Sequence, residues 1–287
     1  MRVAYLGPAG TFSEDAVRAS GFCPADFQPV LCDTIAGVVE SIGAGRADRA
    51  LVPVENSIEG SVRSTLDAMV NEAAAVTISG EYVHEIRSAL IARSVVPLDS
   101  ITAVVSHPQP LAQCDRFIRE ALPNAEVRVS DSTSAAVREV GQGEPGLAAL
   151  GPAQAAELYG CKVIREGIED EPGNSTRFLW LSPAGEADSP ITGTDESSSS
   201  WKTSVLFAGL GEDHPGALVD ALLEFSTREI NLARIESRPE RRELGRYRFF
   251  IDIKGRETDS GVAEALDGLR DKASTVLVLG SYLAARA

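Results

Sequence analysis

The chain has 287 residues, of which 44% are hydrophobic and 24% charged, as expected for a globular protein with room for two or three domains. Its net charge of −15 at pH 7, with no offsetting stripe of lysine and arginine, excludes nucleic acid and anionic membrane surfaces as partners. No apolar run has the length of a membrane span, and the first residues are typical of a strand rather than a signal peptide. The four cysteines show no CxxC spacing, so we expect reduced thiols in a cytoplasmic protein.

Charge and composition divide the chain near residue 200. Residues 201–287 hold 13 of the 27 basic and 14 of the 42 acidic side chains, so the first 200 residues carry −14 of the net charge. Residues 183–200 are small, polar and acidic without apolar periodicity, as in a solvated linker. We therefore expect one unit over 1–183, a linker over 184–201 and a second unit over 202–287.

The first unit alternates short apolar runs with helical patterns. Predicted strands lie at 3–6, 29–32, 50–54, 76–79, 89–92, 101–106, 126–129, 147–150, 162–164 and 177–181. Predicted helices lie at 12–19, 34–42, 108–121 and 153–159. This alternation is typical of an α/β fold with helices on both faces of a parallel or mixed sheet. Because so many strands exceed one small sheet, we expect two lobes with a cleft between them.

Small and polar residues mark three junctions where a strand passes into a helix. They are Gly7-Pro8, Gly151-Pro152 and Ser106-His107-Pro108. Free N–H groups and the helix dipole at such junctions favour a carboxylate, and ligands of open α/β sheets bind at the carboxyl ends of strands. A single junction of this kind is explained by helix initiation alone. Three of them at the carboxyl ends of strands favour a site for a carboxylate.

Other polar groups have a local explanation as well as a functional one. Asn56 follows an apolar run and fits a turn in which its side chain bonds the backbone. Gln109 and Gln113 share a helix face and fit two surface glutamines. The sequence shows no GxSxG motif and no phosphate-binding loop, and its three histidines have no metal-ligand spacing. The remaining chemistry is that of hydroxyls, amides, an arginine and backbone dipoles.

The second unit has a simpler pattern. Strands are predicted at 203–210, 231–238, 247–254 and 275–280, with helices at 214–226 and 261–272. The order βαββαβ is that of the ferredoxin-like fold, which by itself indicates no single function.

Several segments resemble one family. They are LGPAGTFSE at 6–14, VPVENSIEGSV at 52–62, SHPQPLAQC at 106–114 and STRF at 175–178, which together resemble prephenate dehydratase. The second unit resembles the regulatory ACT domain of that family, in which residues 216–219 and 236–239 match two phenylalanine-sensing motifs. Ala233 departs from the second motif, which usually carries a hydroxyl residue there.

The resemblance implies a catalytic domain of the bilobed type II periplasmic-binding-protein kind, with its second lobe at about 80–172. It implies decarboxylation and dehydration of prephenate to phenylpyruvate without a cofactor or metal. Thr176 is then the catalytic donor to the departing hydroxyl. The implied substrate-binding residues are Asn56, Ser106, Gln113, Ser175 and Arg177, although Arg177 also fits a structural ion pair.

The resemblance also implies regulation by phenylalanine. The effector-binding residues would be Gly216, Ala217, Leu218, Val219, Asn231, Leu232, Glu236 and Ser237. In ACT domains such ligands lie between two copies, so a homodimer or homotetramer is expected. A chain ending near Pro183 is expected to fold and remain active, because the bilobed unit would own its core.

Two alternative functions stay open at this stage. Arogenate dehydratase shares the fold and the site, and a turnover assay with both substrates separates the two. A non-catalytic amino-acid sensor would bind a carboxylate ligand and form no phenylpyruvate.

Overall fold

The structure is a computed structural model that describes residues 1–186, 200–211, 214–240 and 245–285. Three sheets, each covered by helices, organise these residues. The predicted linker at 184–201 lies mostly outside the described residues. Within the described ranges, no helix is long and apolar enough to cross a membrane.

The first lobe is built on a mixed sheet with strand order β2-β1-β3-β11-β5, and the short β4 pairs with β3. Its strands are β1 (Arg2–Leu6), β2 (Gln28–Cys32), β3 (Arg49–Asn56), β4 (Gly60–Ser61), β5 (Val76–Glu85) and β11 (Ser175–Pro183). Its helices are α1 (Phe12–Ala19), α2 (Ile35–Gly43) and α3 (Arg63–Asn71). The strand β11 runs antiparallel between β3 and β5, so the chain returns to the first lobe after it has formed the second.

The second lobe has strand order β10-β6-β9-β7-β8. Its strands are β6 (Ala89–Ala92), β7 (Ala103–Ser106), β8 (Glu126–Val129), β9 (Leu147–Gly151) and β10 (Lys162–Glu166). Its helices are α4 (Pro108–Gln113), α5 (Asp115–Ala121), α6 (Thr133–Gln142) and α7 (Ala153–Leu158). The first crossing between lobes follows Glu85, because β5 stays in the first sheet beyond the expected border near residue 80.

The third sheet has the order β13-β14-β12-β15, and all its pairs are antiparallel. Its strands are β12 (Trp201–Ala208), β13 (Leu232–Pro239), β14 (Tyr247–Lys254) and β15 (Thr275–Leu283), with helices α8 (Ala217–Ser226) and α9 (Ser260–Arg270). The predicted ferredoxin-like fold is confirmed.

The helical predictions differ from the structure in three places. The helix expected at 108–121 is two helices, because Asp170 accepts hydrogen bonds from the backbone N–H groups of Arg116 and Phe117 and so caps the second one. The helices α3 and α6 were not predicted. In α6, Ser132 caps the N-terminus by accepting from the N–H of Ala135, and Val137 and Val140 are buried.

The first lobe and the third unit share one hydrophobic core. Leu206, Phe250, Leu279 and Tyr282 belong to the same buried cluster as the apolar side chains of β3, β5 and α2. The backbones of Gly280 and Ile78 approach so closely that a Cβ atom at Gly280 would collide with Ile78. The expectation that residues 1–183 own their core is therefore wrong, because four side chains from the tail complete it.

Candidate functional site

A cleft of about 520 Å³ lies between the two lobes, and residues of both lobes line it. Thr176 and Asn56 line it from the first lobe, at the paired ends of β11 and β3. Gln113 lines it from the second lobe, at the end of α4. The strand that returns from the second lobe thus places its polar entry in the cleft.

The side chains of Asn56 and Thr176 are joined directly. Asn56 Nδ2 donates to Thr176 Oγ1 over 3.0 Å. Asn56 Oδ1 accepts from the backbone N–H groups of Ile58 and Glu59, at 3.0 Å each, which fixes the orientation of the amide. Because Thr176 Oγ1 receives a hydrogen bond, its own hydrogen is free to point at a ligand.

Asn174, which the sequence analysis did not single out, connects Asn56 to the second lobe. Asn174 Oδ1 accepts from Asn56 Nδ2 over 2.8 Å, and Asn174 Nδ2 donates to Gln113 Oε1 over 3.2 Å. Its position two residues before Thr176 could have identified it, because side chains two residues apart in an extended chain lie on the same side.

Ser106 and Ser175 lie outside the residues that line the cleft. Ser106 is fully buried and donates to the carbonyl of Leu150 over 2.7 Å, which joins β7 to β9 beneath the cleft. Ser175 alternates with Thr176 along β11, and its backbone N–H donates to Ser57 Oγ over 3.0 Å.

Arg177 points away from the cleft. Its guanidinium contacts carboxylates of Glu55 at 3.2 Å, Glu81 at 3.1 Å and Asp252 at 2.7 Å, and its side chain is 11% exposed. Burial alone lowers the pKa of Arg177, but the nearby charges, Asp252 first, outweigh it and leave the pKa above the ordinary arginine value. The expected substrate-binding role is corrected to the structural one, because Asp252 belongs to the third unit and strand alternation sets Arg177 opposite Thr176.

Two helix N-termini face the cleft from different lobes. Thr11 caps α1 and Ser132 caps α6, and both residues line the cleft together with Ser13 and Thr133. No lysine or arginine is found among the described residues that line the cleft. Backbone N–H groups of these helices are therefore candidate donors for an anion, together with the hydroxyl and amide side chains of the lining, which also includes the carboxylates of Asp33, Glu59 and Asp131. The Gly7-Pro8 junction predicts the N-terminus of α1, whereas the N-terminus of α6 was not predicted.

Among the described residues that line the cleft, no cysteine or lysine lies next to these groups as a strong nucleophile. Cys114 follows Gln113 in sequence, but burial raises the pKa of its thiol to about 12, so it stays protonated. The parts of the chain that the structure describes contain no group of three His, Cys, Asp or Glu side chains that could hold a metal ion. The four cysteines are free thiols, as expected.

A second cavity, of about 350 Å³, lies in the third unit. The residues Gly216, Ala217, Leu218 and Val219 line one side, and Tyr247 and Phe249 lie on another. Gly216 has φ +90°, which favours glycine immediately before α8.

The other predicted effector residues lie outside this cavity. Asn231 and Ser237 are exposed, and Leu232 packs against the core of the third unit. Glu236 instead accepts a hydrogen bond from Ser61 Oγ over 2.7 Å, and Ser61 lines the cleft between the lobes.

Fold and site together define a two-lobed ligand-binding protein with a ferredoxin-like unit docked on its first lobe. The family model for prephenate dehydratase matches residues 3–186, and that for the ACT domain matches residues 204–271. The chain therefore belongs to the prephenate dehydratase family, and the bilobed α/β fold with an ACT domain is confirmed.

Known relatives cover nearly the whole chain. The prephenate dehydratase of Mycolicibacterium gilvum is 38% identical over 98% of this chain and 90% of its own. The structure of prephenate dehydratase from Arthrobacter aurescens in complex with L-Phe matches with a TM-score of 0.84 and 38% identity, over 100% of this chain and 90% of that one. GqqA, described as a novel type of quorum-quenching acylase, matches with a TM-score of 0.82 and 27% identity, over 99% of this chain and 98% of that one.

Proposed function

We propose that the protein is a lyase that converts prephenate to phenylpyruvate in phenylalanine biosynthesis, without a cofactor. The observation that carries this proposal is the hydroxyl of Thr176, which lies in the cleft between the lobes and accepts a hydrogen bond from Asn56. Family membership supplies the reaction, and this geometry supplies a donor for it.

The reaction needs little from the protein beyond orientation and one proton donor. The bond from the ring to its carboxylate breaks, and its electron pair enters the ring as carbon dioxide leaves. The bond from the ring to the hydroxyl breaks in turn, and the departing oxygen takes one proton to leave as water. Because the product ring is aromatic, the driving force lies in the substrate.

Thr176 is the group that meets the departing oxygen. Asn56 occupies a lone pair of Thr176 Oγ1, so the hydroxyl hydrogen is directed into the cleft. A hydrogen bond to negative charge that develops on the leaving oxygen stabilises the transition state more than the ground state. The proton itself comes from solvent through this hydroxyl, since threonine has no acidic proton to give up at neutral pH.

The two carboxylates of prephenate are held by the N-termini of α1 and α6. The first-turn N–H groups at Phe12 and Ser13, and at Thr133 and Ser134, are available because each cap side chain bonds a later N–H. The helices belong to different lobes, so a dianion between them draws the lobes together. This arrangement fits a cleft whose described lining holds no lysine or arginine.

An acylase reaction, as in the description of GqqA, fits this cleft less well. Acyl transfer through a threonine needs a base that takes the hydroxyl proton. Among the described residues, the side-chain partner of Thr176 Oγ1 is Asn56 Nδ2, which is a donor and cannot act as that base.

Phenylalanine is the proposed effector, and the cavity beside Gly216 is its proposed site. The relative from Arthrobacter aurescens contains L-Phe, and the ACT model matches this part of the chain. Val219, Leu223 and Ile235 are exposed on the same unit, which supports a homodimer or homotetramer formed through it. We place the enzyme in the cytoplasm, where its four free thiols stay reduced.

Formation of phenylpyruvate from prephenate by the purified protein tests the proposal. Thr176→Ala should lower kcat about a hundredfold, the scale of one lost transition-state donor, and Thr176→Ser should retain most of it. Equal losses in both variants would contradict the donor role and indicate packing. Arogenate in the same assay distinguishes the two substrates, and no turnover of either would indicate a sensor.

A further inference from the structure

Three amides form a directional chain that ends in the cleft. We call Asn56, Asn174 and Gln113 the amide relay. Its direction is fixed at one end, because the backbone N–H groups of Ile58 and Glu59 require the oxygen of Asn56 to face them. Asn56 must then present its nitrogen to Asn174, which accepts through Oδ1. Asn174 in turn presents its nitrogen to Gln113, which accepts through Oε1.

The other end of the relay is a donor without a partner. Gln113 Nε2 is buried and makes no hydrogen bond within the described part of the chain. Gln113 lines the cleft, so a ligand that fills the cleft can supply an acceptor. A buried donor left unsatisfied is unfavourable, and a substrate oxygen at this position would satisfy it.

Asn174 is well placed to hold this orientation. Its side chain is 3% exposed, and its backbone carbonyl accepts from the N–H of Ile86 over 2.8 Å. These two residues lie on the two segments that cross between the lobes. Asn174 therefore joins a first-lobe amide to a second-lobe amide at the crossing itself.

We propose that Asn174 is a positioning residue that transmits the direction of the amide relay from Asn56 to Gln113. It accepts from Asn56, whose orientation the backbone fixes, and by donating to Gln113 it aims an N–H donor at an oxygen of the substrate. This inference rests on the proposed function, and it adds a role that acts through other side chains rather than on the reacting atoms.

Asn174→Asp keeps nearly the shape of the side chain but reverses the direction of the hydrogen bond to Gln113. A carboxylate still accepts from Asn56, but it cannot donate to Gln113. Gln113 must then turn its nitrogen toward the new carboxylate and present its oxygen to the anionic substrate. We expect KM for prephenate to rise about tenfold, the scale of one hydrogen bond exchanged for a repulsive contact, with a smaller change in kcat.

Lower pH provides a rescue that a purely structural role would not show. A buried carboxyl group has a raised pKa, and once protonated it again donates to Gln113. KM of Asn174→Asp relative to wild type should therefore fall as pH decreases. In a Gln113→Ala background, Asn174→Asp should change KM by less than about twofold, because the group through which it acts is gone.

The experiment measures kcat and KM against pH for wild type, the two single variants and the double variant. Ser182→Ala serves as the control, since Ser182 is buried on β11, the strand that follows Asn174, with a hydroxyl that makes no hydrogen bond among the described residues. Melting temperatures identify any folding defect.

A KM increase that is lost at low pH and lost without Gln113 supports the inference. An increase that is equal in the Gln113→Ala background or independent of pH overturns it, as does no increase. If the wild-type protein does not convert prephenate, both the proposed function and this inference are wrong. That outcome is recognisable because all the others require an active wild type.

Discussion

Replacing Asp67 by asparagine should weaken inhibition by phenylalanine while leaving phenylalanine binding intact. Asp67 lies on α3 of the catalytic unit, and Arg238 on β13 of the ACT unit contacts both of its carboxylate oxygens, at 3.1 and 2.8 Å. The same strand contacts the cleft wall, where Ser61 donates to Glu236 and accepts from Arg234. Asp67 lines neither the cleft nor the effector cavity, so its change affects the connection between them.

The expected size of the effect on inhibition follows from how exposed the ion pair between Arg238 and Asp67 is. The side chains of Arg238 and Asp67 are 14% and 29% exposed, between a surface pair and a buried one. A two-pronged arginine contact of this kind is worth about 1 kcal/mol. Allosteric coupling is typically about 1–3 kcal/mol, so its partial loss should raise the phenylalanine concentration for half-inhibition about fivefold. We expect a weakening because the ion pair joins the ACT unit to the catalytic unit, and its loss reduces the free energy available to couple them.

Two titrations separate coupling from binding. Reaction rate against phenylalanine reports inhibition, and melting temperature against phenylalanine reports binding. Asp48→Asn is the control, because two nitrogens of the Arg2 guanidinium contact Oδ1 of Asp48, at 3.2 and 2.6 Å, within the first lobe. If Asp67→Asn is inhibited as strongly as wild type, or if it loses its thermal response to phenylalanine, the reasoning is wrong.

Three further predictions concern the third unit. A chain that ends at Pro183 should fail to fold stably in circular dichroism and gel filtration, since loss of four core side chains costs about 6–12 kcal/mol, comparable to the whole stability of a domain. Asp252→Asn removes one charged partner of Arg177 and should lower the melting temperature by about 3–10 °C, whereas an unchanged temperature would show that the remaining partners suffice. Gly216→Val should abolish the rise in melting temperature with phenylalanine, whereas Gly185→Val, which is equally strained at φ +87° but remote from the cavity, should preserve it.

The strands were predictable because each is a short apolar run bounded by turn residues. All ten strands predicted for the first unit lie in its two sheets, and the four of the second unit pair in the expected order. Thr176, Asn56 and Gln113 were identified by their motifs, and the structure brings them to one cleft. Their roles in substrate binding remain predictions, as do those of the sensing residues.

The shared core and the partners of Arg177 could not be read from local patterns. Glu55, Glu81 and Asp252 lie 122, 96 and 75 residues from Arg177 in sequence, so no spacing rule connects them. One signal was present for the core. Residues 205–208 form an apolar run without alternation in the sequence, which is typical of a strand covered on both faces, and the structure buries them all.

The segment Asn174 to Phe178 shows why so many polar residues enter one buried strand. Successive side chains of β11 point to opposite faces, so Thr176 faces the cleft while Arg177 faces the ACT unit. Asn174 faces the same way as Thr176 and joins the lobes, and Phe178 contributes to the core below. One segment of five residues therefore connects the proposed hydrogen-bond donor Thr176, the second lobe and the ACT unit. Asp252 of the ACT unit contacts Arg177 at 2.7 Å, and Arg177 follows Thr176 directly along β11, so an ion pair and a peptide bond connect the ACT unit to the residue that carries the cleft hydroxyl.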